Sequence, residues 1–165
     1  MDNKSGLTHV VHAFPPLFDS SCRILILGSV PSPKSRETGF YYGHPRNRFW
    51  KVLAAVFSDS VPDTVEEKKA FLLSHHVALY DTVYSCDIYG ASDSSIRNVV
   101  PADLSAILRN SRIERIFCNG RASGSFFEKY QEPLLGIKAV TLPSTSPANA
   151  SWTLEKLIEA WKAIL

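Results

Sequence analysis

The segment Gly39–Trp50, GFYYGHPRNRFW, crowds aromatic rings, a histidine, an asparagine and two arginines into twelve residues. Flat rings stack on other flat rings, guanidinium groups attract phosphates, and an amide both donates and accepts hydrogen bonds. A core strand does not carry this much polarity, and a plain loop does not carry this much ring area. Taken singly, the residues have structural roles. Asn47 precedes a helical apolar pattern, where Asn is a favoured N-cap. His44, before Pro45, can bond to the local backbone, and Tyr41 and Tyr42 can pack against a sheet edge. Taken together they set stacking rings, an amide and positive charge side by side.

Other loops carry their own chemistry. PSTSPANAS (Pro143–Ser151) is small, polar and held stiff by two prolines. It reads either as a linker into the last helix or as a rigid tip. Such a tip can approach nucleic-acid phosphates closely through backbone N–H groups and hydroxyls. GSVPS, from Gly28, lacks the G-x-G-x-x-G pattern of dinucleotide sites, and Pro31 removes an N–H that could serve a phosphate. Asp81, Asp87 and Asp93 have no metal-spaced Glu or His partners, so no metal is expected. Asp93, followed by two serines, reads as a turn cap.

These loops need elements to position them. RILILGS (Arg23–Ser29) and Val77–Val83 read as buried strands, and Arg115–Gly120 and Ile137–Leu142 as a third and a fourth strand. Phe49, Val52, Leu53, Val56 and Phe57 share one helical face. Further helices are expected at Val65–Ser74, at Asp103–Asn110 and from Gly120 to about Tyr130. The last helix points Leu154, Leu157, Ile158, Trp161, Ile164 and Leu165 inward. SCDIYGASDSSIRN reads as a polar loop. Strands alternating with helices predict a three-layer α/β/α sandwich with a small, mostly parallel four-stranded sheet. Ligands in such folds sit outside the carboxyl ends of the strands, so the polar loops should converge on one crevice.

The chain has 165 residues, 45% hydrophobic and 21% charged, with net charge +2. That bounds it to one domain, residues 1–165, with a sizeable core. Three well-separated cysteines without C-x-x-C spacing suggest reduced thiols in the cytoplasm. No apolar run approaches the ~20 residues that span a bilayer, and the N-terminal MDNKSGLTHVVHAF lacks a signal peptide's apolar stretch. No membrane partner is expected.

The order of these motifs resembles the uracil-DNA glycosylase superfamily, from about Phe14 to Leu165. TGFYYGHPRNRFWKVL looks like the central segment of the mismatch-specific uracil/thymine glycosylases. GSVPS, FYYGHPRN, YDTVYSC, GASDSSI and STSPAN together look closer to the hypoxanthine-DNA glycosylase branch, family six. The mismatch-specific enzymes carry Asn at the third position of the first motif, where it positions the attacking water. Here that position is Val30, which cannot orient water. The hypoxanthine branch also lacks that Asn, and the resemblance implies that Asn47 acts instead, with His44 as a second catalytic candidate.

The resemblance further implies a monomeric, cofactor-free DNA repair enzyme that flips a deaminated base out of the duplex and hydrolyses its N-glycosidic bond. Gly28, Ser29, Val30, Pro31 and Tyr42 would bind the base, with Tyr42 stacking on it. Ser32, Ser35 and Arg46 would hold DNA, and so would Ser144, Thr145, Ser146, Pro147, Ala148 and Asn149, the loop that enters the duplex. From sequence, Asn47 could orient water through its carbonyl or hold the base through its NH2. Three alternatives stand: a mismatch-specific uracil/thymine glycosylase, a non-catalytic DNA-binding relative, and a nucleotide-binding metabolic protein. The missing G-x-G-x-x-G and Walker patterns speak against the last.

Overall fold

The computed structural model describes residues 6–165. The chain opens with β1 (Leu7–Val11), then β2 (Ile24–Gly28), α1 (Pro33–Thr38), α2 (Phe49–Val56) and α3 (Val65–Ser74). The strands β3 (Val77–Asp81), β4 (Val83–Tyr89) and β5 (Arg97–Pro101) follow, with a 3-10 turn at Asp93–Ser95 before β5. After α4 (Ser105–Arg109) come β6 (Arg115–Asn119), α5 (Arg121–Phe126) and α6 (Glu132–Leu135), then β7 (Ala139–Leu142) and α7 (Leu154–Trp161).

Four strands pair in the order β3-β2-β6-β7, all parallel. Every residue of β2 and β3 is buried, as a parallel strand covered on both faces requires. The connections from β2 to β3 and from β6 to β7 run in opposite directions across the sheet. Right-handed crossovers therefore place their helices on opposite faces. The result is the expected three-layer α/β/α sandwich around a four-stranded sheet. The neighbours β2 and β6 mark the point where strand order reverses, so a crevice opens at their carboxyl ends.

The helices follow from local chemistry. Thr64 caps α3 by accepting the Glu67 N–H at 3.1 Å, and the Glu67 carboxylate takes the Thr64 N–H in return, a reciprocal capping box. The apolar stripe of α2 buries Phe49, Val52 and Leu53 completely. It meets α7 there, with Trp161 edge-on to Phe49 at 5.9 Å.

A second sheet, antiparallel in the order β1-β4-β5, stands apart from the first. Half of the stretch expected as a polar loop, Ser85–Tyr89 and Arg97–Asn98, is in fact strand. In β4, Val83, Cys86 and Ile88 face a small apolar cluster with Val10, while Asp87 bonds His9 and Asn98 on the wet side. Strands with one wetted face carry polar residues, which is why composition alone reads as loop. The long loop after β2 contains α1, which Ser32 caps by accepting the Ser35 N–H. The helix after Gly120 continues through a π-helical stretch at Phe127–Gln131 to Leu135, beyond Tyr130. At the C-terminus α7 tightens into a 3-10 turn, so Ile164 stays buried while Leu165 swings out to 65% exposure.

All three cysteines are free and buried. Burial pushes the thiols of Cys22 and Cys118 up to about 11. Among the described residues no helix is long and apolar enough to cross a membrane.

Candidate active site

The carboxyl ends of β2, β3 and β6, with the loop after β7, surround a pocket of about 110 Å³. Gly28 ends β2, Asp81 ends β3 and Asn119 ends β6, and all three line the pocket. A Cβ on Gly28 would run into Asp81 Oδ1 and come within 3.2 Å of the Tyr42 hydroxyl. Glycine is therefore required here by close approach. Ser29, Val30, Pro31 and Ser32 continue the wall from Gly28.

Tyr42 lines the pocket in a left-handed backbone conformation, φ 54°. Such a conformation costs about 1–3 kcal/mol for a non-glycine residue and persists only when its surroundings hold it. Here Trp50 Nε1–H donates to the Tyr42 carbonyl at 3.3 Å, and Phe49 stacks on one face of the ring at 4.0 Å. Neighbouring Tyr41 is anchored by its hydroxyl on the Pro15 carbonyl, 2.8 Å. Burial, reinforced by the Asp81 charge, drives the Tyr42 hydroxyl well above the usual phenol range. That hydroxyl has no hydrogen-bond partner among the described residues.

Asn47 lies one residue before the Arg48 cap position of α2. Its Oδ1 accepts the Phe49 N–H at 3.0 Å, so it serves as a cap one position early. The same Oδ1 accepts the Thr145 hydroxyl at 2.8 Å. Thr145 Oγ1 in turn accepts from Asn119 Nδ2 at 3.0 Å, and the Thr145 N–H donates to Asn119 Oδ1 at 3.0 Å. Backbone N–H groups can only donate, so both amides are oriented without ambiguity. The single Thr145 proton must point at Asn47. The Asn47 oxygen is thus occupied twice, and its NH2 group makes no hydrogen bond among the described residues, in a residue that lines the pocket.

The loop after β7 is held from two sides. Arg48 donates to the carbonyls of Thr145, Ser146 and Asn149 at 3.4, 2.9 and 3.1 Å, and to that of Trp152. Trp161 Nε1–H holds the Pro143 carbonyl at 2.9 Å. Within the loop, the Ser144 hydroxyl accepts the Ser146 N–H, and the Asn149 amide bonds the Ser144 carbonyl. Pro147 and Ala148 form its exposed tip.

Of the expected site residues, His44 and Arg46 lie outside the pocket, while Thr145 and Ser35 line it with their side chains committed to protein hydrogen bonds. His44 is exposed, accepts the Arg46 N–H through Nδ1 at 3.0 Å, and does not line the pocket. Arg46 is exposed beside it in sequence. Thr145 is fully buried and holds the two asparagines, so it is closed to DNA. Ser35, 2% exposed, accepts the Gly43 N–H at 2.9 Å and ties the aromatic segment to α1.

A model of the uracil DNA glycosylase superfamily matches residues 15–165. This chain belongs to that superfamily. A relative from Methanosarcina acetivorans named hypoxanthine DNA glycosylase is 33% identical over 160 residues, covering 94% of this chain and 98% of the relative. One of the same name from Methanosarcina barkeri is 30% identical over 142 residues, covering 82% and 86%. A solution NMR structure of a candidate uracil DNA glycosylase from Methanosarcina acetivorans superposes with a TM-score of 0.79 at 29% identity. It covers 93% of this chain and 94% of that one.

Four residues of this superfamily member's pocket region were not singled out from sequence as site residues: Asn119, Asp81, Asp93 and His12. Asn119 and Asp81 each end a parallel strand, which is the signal that could have found them. Asp93 does begin its 3-10 turn, but its carboxylate is directed to Ser29, whose hydroxyl donates at 2.8 Å. Surrounding protein raises the Asp93 carboxyl above its usual range, the Ser29 bond opposes this, and the Asp81 charge adds to the rise. Behind the pocket, buried His12 Nε2 meets Asp81 Oδ2 at 2.7 Å. No local pattern connects residues so distant in sequence.

Proposed function

We propose that this protein is a DNA glycosylase that takes deoxyinosine out of the duplex, hydrolyses its N-glycosidic bond and releases hypoxanthine. It works as a single cytoplasmic domain over residues 1–165, as a monomer, on DNA carrying a deaminated base. The observation that carries this reading is the orientation of Asn47. Cleavage sends negative charge onto the leaving base, and a donor aimed at that charge lowers the barrier more than it aids binding. With Oδ1 occupied by Phe49 and Thr145, Asn47 has its NH2 left to donate. That favours contact with the base over orientation of water through the carbonyl.

The remaining residues take consistent parts. A flipped base stacks on the face of Tyr42 opposite Phe49, a contact worth roughly 1–3 kcal/mol. Gly28, Ser29, Val30 and Pro31 border it, and Val30 offers no water-orienting group, in keeping with the names of the two relatives. The exposed tip Pro147–Ala148, with Ser144, Ser146 and Asn149 behind it, enters the duplex, while Ser32 and Arg46 hold phosphates. His44, outside the pocket, stands second to Asn47.

Duplexes carrying inosine, xanthosine, uracil or a thymine mismatch test the reading by strand scission at the abasic product. Release at inosine is expected. Release at uracil or mismatched thymine alone would transfer the protein to the mismatch-specific group. Binding without release at any of the four would make it a non-catalytic relative.

A further inference from the structure

Two carboxyl groups from different elements line the pocket, Asp81 at the end of β3 and Asp93 in the turn before β5. Their surroundings divide them. Asp81 accepts a hydrogen bond from buried His12 through Oδ2. The other ring nitrogen of His12 has no partner among the described residues, so Nε2 is the nitrogen that carries a hydrogen to Asp81. Asp93 accepts the Ser29 hydroxyl on Oδ1, and its second oxygen makes no hydrogen bond among the described residues. A carboxyl with one oxygen serving as acceptor and the other unpartnered in a pocket is arranged as a donor when protonated. Two acids with different partners in one pocket are how glycosidic chemistry separates its roles.

We propose that Asp93 is a catalytic acid that protonates the leaving purine at N7, with Asp81, held by His12, as the second carboxyl beside it in the pocket. This rests on the reading of the protein as a hypoxanthine glycosylase. In the step, the N9–C1′ bond breaks and its electron pair goes to the purine. The Asp93 proton passes to N7, so hypoxanthine leaves neutral. Water adds to C1′, its surplus proton returns to solvent, and Asp93 is reprotonated from solvent. Surrounding protein and the Asp81 charge raise the Asp93 carboxyl and the Ser29 bond opposes this, while the residue itself keeps an exposed face to solvent. A base entering the pocket displaces water and strengthens both effects. The substrate class follows from the same geometry. Hypoxanthine and xanthine present N7, whereas a pyrimidine has no such atom and gains nothing from this acid.

The test pairs Asp93→Asn with a duplex carrying 7-deaza-deoxyinosine, in which a C–H replaces N7. Asp93→Asn is expected to slow single-turnover release from inosine roughly a hundredfold or more. The wild type is expected to slow as much on the 7-deaza duplex, and the variant to lose little further there, because both changes remove one proton transfer. The wild-type rate should fall as pH rises through the Asp93 titration, and the variant should be flat. The titratable groups coupled to Asp93 are Asp81, Tyr42 and Cys86. Of these the Asp81 charge raises it, so Asp81→Asn should move the fall to lower pH. Release by Asp93→Asn within about threefold of wild type would overturn the proposal alone, given that general acids contribute far more. Equal wild-type rates on inosine and its 7-deaza analogue would do the same, and would decide the matter even if Asp93→Asn failed to fold. A wild type inert on inosine would overturn this proposal and the functional reading together.

Discussion

Replacing Asn47 by Asp and by Ala separates its structural bonds from its chemistry. The oxygen facing Phe49 N–H and Thr145 Oγ1–H, at 3.0 and 2.8 Å, is reproduced by an aspartate. A carboxylate at the start of α2 also suits the helix dipole. Asn47→Asp should therefore melt within about 0.5 kcal/mol of wild type, the scale of a small surface change. Alanine removes the acceptor from two donors, one on a fully buried residue, Thr145. At about 1–1.5 kcal/mol for each lost bond, Asn47→Ala should cost about 2–3 kcal/mol. The chemistry should sort differently. Aspartate cannot donate to a leaving base, and its charge opposes the one developing there. Both variants should lose roughly a hundredfold or more in single-turnover rate, about 2.7 kcal/mol of transition-state contact. The assay is urea unfolding beside single-turnover release of hypoxanthine, at enzyme in excess over duplex. A stable Asn47→Asp protein that cleaves at the wild-type rate would refute the donor role. A folded Asn47→Ala protein that did so would remove Asn47 from the mechanism and bring His44 forward.

Three further outcomes follow from the site. Arg48→Ala removes a cation shared by the carbonyls of Thr145, Ser146, Asn149 and Trp152, and should cost about 2–3 kcal/mol in urea unfolding and weaken duplex binding. Arg48→Lys should recover only part, because an ammonium cannot span that set as a planar fork does; full recovery would count against the clamp. Val30→Asn places an amide where the mismatch-specific enzymes are expected to hold water, and should raise uracil release; an unchanged rate in a folded variant would assign base choice to the rest of the pocket. Release from inosine should persist in EDTA, since no three metal-binding side chains are grouped among the described residues; loss restored by a divalent ion would refute this.

Much of this fold was legible because its signals are local. The runs ILILG and VALYD are apolar enough to be buried on both faces, and Val65–Ser74 carries its own start signal in Thr64 and Glu67. The antiparallel sheet was not legible. β1 pairs with β4 across some eighty residues of sequence, Leu7 opposite Tyr89, and a half-wetted strand built of Ser, Cys and Asp has no strong period of its own. The swing of Leu165 to solvent had the same origin: a helical period continues to the last residue, but the final turn tightens and leaves it.

By itself the sequence determined the residue types of the site and the parallel strands that carry them. GFYYGHPRN, GSVPS and STSPAN are contiguous, so their order and chemistry can be read directly. What only the tertiary structure decided is which atoms of those residues are free. Asn47 looks like a cap or a catalyst until Thr145, 98 positions away, takes its oxygen and leaves its NH2. Arg48 looks like the start of a helix until the loop after β7 folds its carbonyls around the guanidinium. Asp81 looks like the polar end of a strand and Asp93 like a turn cap until His12 and Ser29 give them different partners. A hydrogen bond consumes a specific donor or acceptor, and its partner is found in space rather than along the chain. The identity of a polar side chain is therefore local information, while the use left to it is not.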